Sequence, residues 1–255
     1  MIRAVIFDFG NTLACLDPSR PAWRTDYAET IARPGAVRLA RRLVEEGALE
    51  DGVSASFVAR FLEIREANRR RADESGDEIT AATSLAESLL AVGAPPLDAA
   101  RAAAPLRAFF AEEEARIVPL PGATETLAAL RARGVPLALL SNATDGSFIE
   151  RVTVRVGWRA WLDPFVVSAD LGVRKPRREA FEAVLGAWPY PPESVAMVGD
   201  SLRHDIQGAL ALGLQTFHLT AVENPGDAAL KDAVVPRHRV PTHEALRAAL
   251  LAALG

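Results

Sequence analysis

The sequence predicts an α/β protein, a parallel sheet with helices on both faces, interrupted after its first strand by an all-helical insert. Three observations carry this. Val5-Ile6-Phe7 is a continuous β-prone apolar run that stops abruptly at Asp8, the pattern of a strand buried on both faces. From about Arg116 onward, short apolar runs alternate with amphipathic stretches, as in successive strand–helix–strand units. Between Leu16 and Ala115, apolar residues recur at spacings of three and four with almost no strand signal.

The elements follow in order. After the first strand, Val37 to Val44, Phe57 to Ile64, Leu85 to Val92 and Ala99 to Phe110 read as helices, with Ser54 expected to cap the second and Thr80 or Ser84 the third. Pro121 to Arg133 reads as a helix with Pro at its start and Gly134 at its end. Val135 to Leu140 is a strand ending at Ser141-Asn142, and Phe165 to Val167 is another, followed by a helix from Arg177 to Leu185. Val195 to Val198 is a strand ending at Gly199-Asp200, with a helix from Ile206 to Leu212. Thr216 to Leu219 closes the strands and His243 to Leu254 is the last helix. The expected division is a core of residues 1–15 and 116–255 and an inserted helical domain of residues 16–115. Charge supports it, since the insert holds 13 basic and 18 acidic residues while the whole chain carries 29 and 33.

Composition narrows the function. A net charge of −4, with no run of basic residues long enough to contradict it, argues against a nucleic-acid partner. One cysteine, Cys15, excludes a disulfide framework and a cysteine-rich zinc site. No apolar run is long enough for a membrane span or a signal-peptide core, so a cytoplasmic protein is expected. Only Lys175 and Lys231 are lysines among the 29 basic residues, which raises the question of why position 175 is not arginine.

Ligands of open parallel sheets bind outside the carboxyl ends of the strands, so Asp8, Ser141-Asn142, Asp200 and the segment around Lys175 are the residues of interest. Two strand-end carboxylates, a lysine and a serine suit phosphoryl chemistry. A carboxylate nucleophile approaching a phosphate anion needs cations to shield it, and a carboxylate-held Mg²⁺ with a lysine supplies them. At these residues the sequence resembles the haloacid dehalogenase superfamily. The motifs appear in order as Asp8-Phe9-Gly10-Asn11-Thr12-Leu13, Ser141-Asn142, Lys175-Pro176 and Gly199-Asp200-Ser201 with Asp205.

The resemblance implies a Rossmann-like core with a helical cap formed by the insert. It implies a phosphatase acting on a small phosphorylated metabolite through an aspartyl-phosphate on Asp8. Ser141 and Lys175 would grip the phosphoryl group, with Asn142 and Thr12 in support. Mg²⁺ would be held by Asp8, the Gly10 carbonyl, Asp200 and Asp205. The chain departs from the family at Gly10, where members usually carry a second aspartate that protonates the leaving group. Losing such a group costs on the order of 10²–10⁴ in rate. His204, Asp145 and Asp17 are candidate replacements, although His204 reads more simply as a solvated loop residue. Asn11 replaces the family's glycine and tolerates positive φ. Trp23 and Arg24 are candidates to line the cleft.

Two other readings stand beside the phosphatase. A 2-haloacid dehalogenase also lacks the second aspartate, but it works without metal, and the retained Asp200 and Asp205 argue against it. The other is a protein that binds a phosphorylated ligand or a partner without turnover. A phosphonate-cleaving enzyme of this family would need a cap lysine, and none occurs between Leu16 and Ala115. The sequence fixes neither the substrate nor the oligomeric state.

Overall fold

The structure is a computed structural model, described for residues 1–19 and 26–254. It divides into two compact units: Met1–Cys15 with Val118–Ala143 and Thr153–Gly255, and Leu16–Ile117 with Thr144–Val152. The chain passes between them on a separate two-stranded sheet of β2 (Ala14–Leu16) and β3 (Ile117–Pro119).

The first unit is built on a six-stranded parallel sheet. Its strands are β1 (Ala4–Phe7), β4 (Leu137–Ser141), β5 (Phe165–Val167), β6 (Val195–Gly199), β7 (Gln215–Leu219) and β8 (His238–Val240), in the spatial order β5-β4-β1-β6-β7-β8. Every residue of β1, β4 and β6 is buried, because helices cover both faces of these central strands. On one face Ala4, Ile6, Ala138, Leu140 and Met197 pack with Ala180, Phe181 and Val184 of the helix Arg178–Leu185. The helices Ala123–Ala132 and His243–Leu254 also pack on the sheet and on each other, with Leu127, Leu130, Leu246 and Leu250 fully buried. The sequence leaves β8 unread because it is a three-residue edge strand with two exposed polar residues, His238 and Arg239, and so carries no apolar run.

The second unit contains α1 (Arg33–Glu45), α2 (Ser54–Ser75), α3 (Ala81–Ala91) and α4 (Ala99–Glu114). Helix α2 runs eleven residues beyond the apolar pattern that ends at Ile64. Its extension is held by ion pairs of Arg69 with Glu66 and Asp73. Asn68 adds hydrogen bonds to Ser84 and Glu87, and Gly76, at φ 78°, ends the helix. Ser54 does not cap α2, since the N-cap is Val53 without a side-chain bond. Thr80 caps α3 through its hydroxyl, which accepts the Thr83 N–H at 3.1 Å, and Ser84 lies inside the helix.

Residues 144–152 belong to the helical unit, whereas the sequence division leaves them in the core. They form most of the helix Gly146–Arg155, which the sequence does not announce because Ile149, Val152, Thr153 and Val154 are β-branched. Three contacts tie the segment to the unit: Ala81 N–H to the Thr144 carbonyl at 2.8 Å, Arg151 to Glu114 at 2.8 Å, and Phe148 stacked on Phe110 at 4.9 Å. No helix among the described residues is long and apolar enough to cross a membrane.

Candidate active site

Strands β1 and β6 are parallel neighbours, with Phe7 opposite Val198. The chain moves outward from β1 to β4 and β5, then returns to β6 on the other side, so strand order reverses between β1 and β6. Such a reversal opens a crevice at the carboxyl ends of the two strands. Asp8 and Asp200 are the first residues beyond them.

A cavity of about 210 Å³ lies there, lined by Asp8, Gly10, Asn11, Ser141, Asn142, Arg174, Lys175, Asp200, Ser201, His204, Asp205 and Asn224. All of the sequence-predicted site residues line it except Thr12. That residue is fully buried, its hydroxyl has no hydrogen-bond partner, and its carbonyl accepts from His243 Nε2 at 2.7 Å. The turn after β1 points Thr12 inward, so it does not reach the cavity. Of the candidate proton carriers, His204 is half-buried and lines the cavity, on the short helical segment Leu202–Ile206 that follows Ser201. Asp17 and Asp145 belong to the helical unit, where they bond the Ser19 and Phe148 N–H groups. Trp23 and Arg24 lie outside the described residues. Arg174 and Asn224 line the cavity without a role in the sequence reading. Arg174 had a signal, its place beside Lys175; Asn224 sits in a loop without a motif.

Lys175 is the centre of the arrangement. It is 1 % exposed, and its Nζ donates to Asp8 Oδ1 at 2.7 Å, Asp205 Oδ1 at 2.7 Å and the Leu140 carbonyl at 2.6 Å. An ammonium has three N–H donors in a compact tetrahedron, and all three are used; a planar guanidinium fork does not match these acceptors. This answers why the chain keeps a lysine there. Asn142 fixes the lysine backbone from both sides, accepting its N–H and donating to its carbonyl, each at 2.9 Å.

The remaining parts hold the carboxylates. Asp205 Oδ2 accepts the Ser201 N–H at 3.0 Å, and Asp200 Oδ2 accepts from Asn224 Nδ2 at 3.2 Å. A Cβ at Gly199 would collide with the Asp205 carboxylate, so only glycine lets Asp205 come this close to β6. Asn11 holds the turn after β1 at φ 54°, as its side chain permits.

One ligand oxygen from each of Asp8, Asp200 and Asp205 lies within 4.8 Å of the others, and all three residues are buried. Burial raises the Asp8 carboxyl above its ordinary range; Lys175 opposes this and the Asp205 charge adds to it. Asp200 is pushed up to about 8 by burial and then by the charges of Asp8 and Asp205. Burial works to lower Lys175, yet Asp205 and Asp8 overcome it and hold the ammonium above its usual range. Once ionised, the three carboxylates outnumber the two cations of the cavity wall, Lys175 and Arg174, and bring several oxygen donors to one point. A divalent cation that prefers hard oxygen ligands fits that deficit and that donor set.

A family model described as haloacid dehalogenase-like hydrolase matches residues 2–213. A Bos taurus haloacid dehalogenase-like hydrolase domain-containing protein 3 is 36% identical over 131 residues, 51% of this chain and 51% of that protein. In such matches the chain spans about half the length of the curated relatives. A glyceraldehyde 3-phosphate phosphatase of Methanopyrus kandleri is 28% identical over 219 residues, 86% of this chain and 84% of that one. Among solved structures, a 2-haloacid dehalogenase from Pseudomonas syringae superposes with a TM-score of 0.66 at 22% identity, covering 100% of both chains.

Proposed function

The chain belongs to the haloacid dehalogenase-like hydrolases, and from that premise we propose that it hydrolyses phosphate monoesters of small metabolites, with Asp8 as nucleophile and Mg²⁺ as cofactor. The observation that carries this reading is the buried cluster of Asp8, Asp200 and Asp205 around Lys175. An aspartate nucleophile alone serves both phosphatase and dehalogenase chemistry. A site that keeps two further carboxylates, and so calls for a divalent cation, suits a phosphoryl substrate. The likeness to a dehalogenase, at 22% identity, speaks for the fold alone, whereas the phosphatase relative is matched in sequence, at 28% identity over most of both chains.

Lys175 holds Asp8 Oδ1, which leaves Oδ2 to attack phosphorus. The P–O bond to the leaving group breaks as the Asp8–phosphorus bond forms. Water then attacks the same phosphorus, releasing phosphate and restoring the Asp8 carboxylate. Ser141 donates its hydroxyl to a phosphoryl oxygen, and Arg174 supplies positive charge at the cavity wall. Asn142 keeps Lys175 in register. Asp8, Asp200, Asp205 and the Gly10 carbonyl would hold Mg²⁺, which supplies charge neutralisation of the phosphoryl oxygens when bound. We assign the choice of substrate to the helical unit.

Gly10 offers no proton to the leaving group. Esters that depart readily as anions are therefore the better substrates, and alkyl phosphates the poorer. Incubation with p-nitrophenyl phosphate tests the reading: phosphate release should require Mg²⁺ and vanish in Asp8→Asn. No release across a panel of phosphate esters, or release unaffected by chelator, would overturn it. Halide released from 2-chloropropionate would establish the dehalogenase instead. Phosphate binding without turnover, even in Gly10→Asp, would identify a binding protein.

A further inference from the structure

Behind the loop that carries Asp200 and Asp205 sits a further carboxylate, Asp227, in the short helical segment Pro225–Leu230. It is 3 % exposed and does not line the reactive cavity. Both of its oxygens accept the Leu202 N–H at 2.9 Å. Its Oδ2 also lies 3.5 Å from His218 Nε2, and that nitrogen is 3.0 Å from the Asp200 carbonyl oxygen. A carbonyl only accepts, so Nε2 carries the hydrogen and donates it to Asp200. The Asp200 carbonyl and the Leu202 N–H bracket Ser201. One buried carboxylate therefore faces both the donor that follows Asp200 and the imidazole that holds Asp200 itself. A group with acceptors alone suits that place, since two N–H donors converge on it.

The same segment reaches Asp200 a second way. Asn224 caps it by accepting the Gly226 N–H at 3.1 Å, and the Asn224 amide donates to the Asp200 carboxylate. Leu202 and Ile206 form a buried cluster with Val234, and Leu230 packs on it, so apolar contact also joins segment and loop.

Asp200 needs such anchors more than its neighbours do. Oxygens of Asp8, Asp200 and Asp205 lie within 4.8 Å of one another, and like charges at that range repel. The three Lys175 donors go to Asp8, Asp205 and the Leu140 carbonyl, and none goes to Asp200. We propose that Asp227 is a positioning residue for the divalent cation: acting through Leu202 and His218, it holds Asp200 in the carboxylate cluster against repulsion from Asp8 and Asp205. The inference rests on the part of the phosphatase reading that places a cation among these carboxylates. Because Asp227 stands outside the reactive cavity, its effect falls on cation affinity before it falls on chemistry.

The probe is Mg²⁺, titrated calorimetrically into the full chain without substrate. Asp227→Ala should weaken binding by on the order of 10- to 100-fold, the range for partners that orient metal ligands. Asp227→Asn keeps an oxygen for the Leu202 N–H and should lose less. His218→Phe keeps a ring but removes the donor to the Asp200 carbonyl, and should weaken Mg²⁺ in the same direction. A merely structural role would lower the melting temperature of the metal-free chain and leave Mg²⁺ affinity as in wild type, which would overturn the proposal. Should Asp227→Ala fail to fold, Asp227→Asn and His218→Phe decide by the same measure.

Turnover of p-nitrophenyl phosphate separates this role from the phosphatase reading. The Mg²⁺ concentration for half-maximal rate should rise in the variants, while KM for the ester at saturating Mg²⁺ changes less. Weaker Mg²⁺ binding in the variants, with no turnover by wild type, would support the positioning role and remove the phosphatase reading. Mg²⁺-dependent turnover that is the same in wild type and variants would do the reverse. Wild type that binds no Mg²⁺, with phosphate present or absent, would overturn both.

Discussion

Lys175 meets three acceptors at once, and its removal exposes what they cost each other. In Lys175→Met, Asp8 and Asp205 are left buried without a counter-charge, so we expect a loss of about 3–5 kcal/mol in urea unfolding of the metal-free chain, besides the loss of activity. Gly10 is the opposite case, a position where something can be added. A Cβ there meets nothing within 4 Å, and the residue is not among those with positive φ. Gly10→Asp is therefore tolerated by the backbone. If the absent proton donor limits turnover, alkyl phosphate hydrolysis should rise by on the order of 10²–10⁴, with a smaller gain for p-nitrophenyl phosphate. Equal rates in both chains for both esters would mean that another group moves the proton. Asp8, Ser141 and Asp200 are legible in the sequence because each closes or directly follows a strand, and Lys175 because it is one of two lysines in a chain that otherwise uses arginine. Thr12 faces inward and not into the cavity, since a motif fixes the order of residues around a turn but not which of them face inward.

The elements of the helical unit show where periodicity stops being informative. Helix α3 begins where Thr80 bonds the Thr83 N–H, so Thr80→Ala should lower the stability of this unit by about 1 kcal/mol. Thermal unfolding followed at 222 nm checks it. The core of the unit is an aromatic ladder in which Phe61 stands against Phe57 at 6.0 Å and Phe109 at 5.0 Å, and Phe109 against Phe110 at 4.9 Å. Phe61 is fully buried, and its replacement by alanine should cost about 3–5 kcal/mol. Phe148 continues the ladder from a segment more than thirty residues farther along the chain. Nothing local in the sequence marks that contact, which is why the sequence division leaves residues 144–152 with the core.

At the scale of the molecule, His243 and Thr12 lie 231 positions apart and are joined by one hydrogen bond at 2.7 Å. Burial holds the His243 imidazole below its usual 6.5. A base whose pKa is lowered on folding takes up a proton more readily when unfolded, so its contribution is present above about pH 6.5 and is lost as pH falls through the lower folded value. Asp200, raised on folding to about 8, acts in the opposite sense between about pH 7.5 and pH 5.5. The test is therefore the difference: the stability advantage of wild type over His243→Gln in urea unfolding should be larger at the higher pH. Metal binding gives a second global readout. If the carboxylate cluster takes a divalent cation, Mg²⁺ raises the melting temperature of wild type by mass action and fails to do so in Asp200→Asn.

Local pattern determined the order of the central strands and most of the helices, the helical nature of the insert and the residues that end the strands. These depend on hydrophobic spacing and turn chemistry, which are written within a few residues. Only the tertiary structure decided that Lys175 has room for an ammonium alone, that Asn224 and His218 both hold Asp200, and that His204 and Arg174 face the cavity. Those outcomes depend on the reversal of strand order between β1 and β6, which gathers residues from distant parts of the chain around one crevice. Spacing along the chain carries no record of that distance.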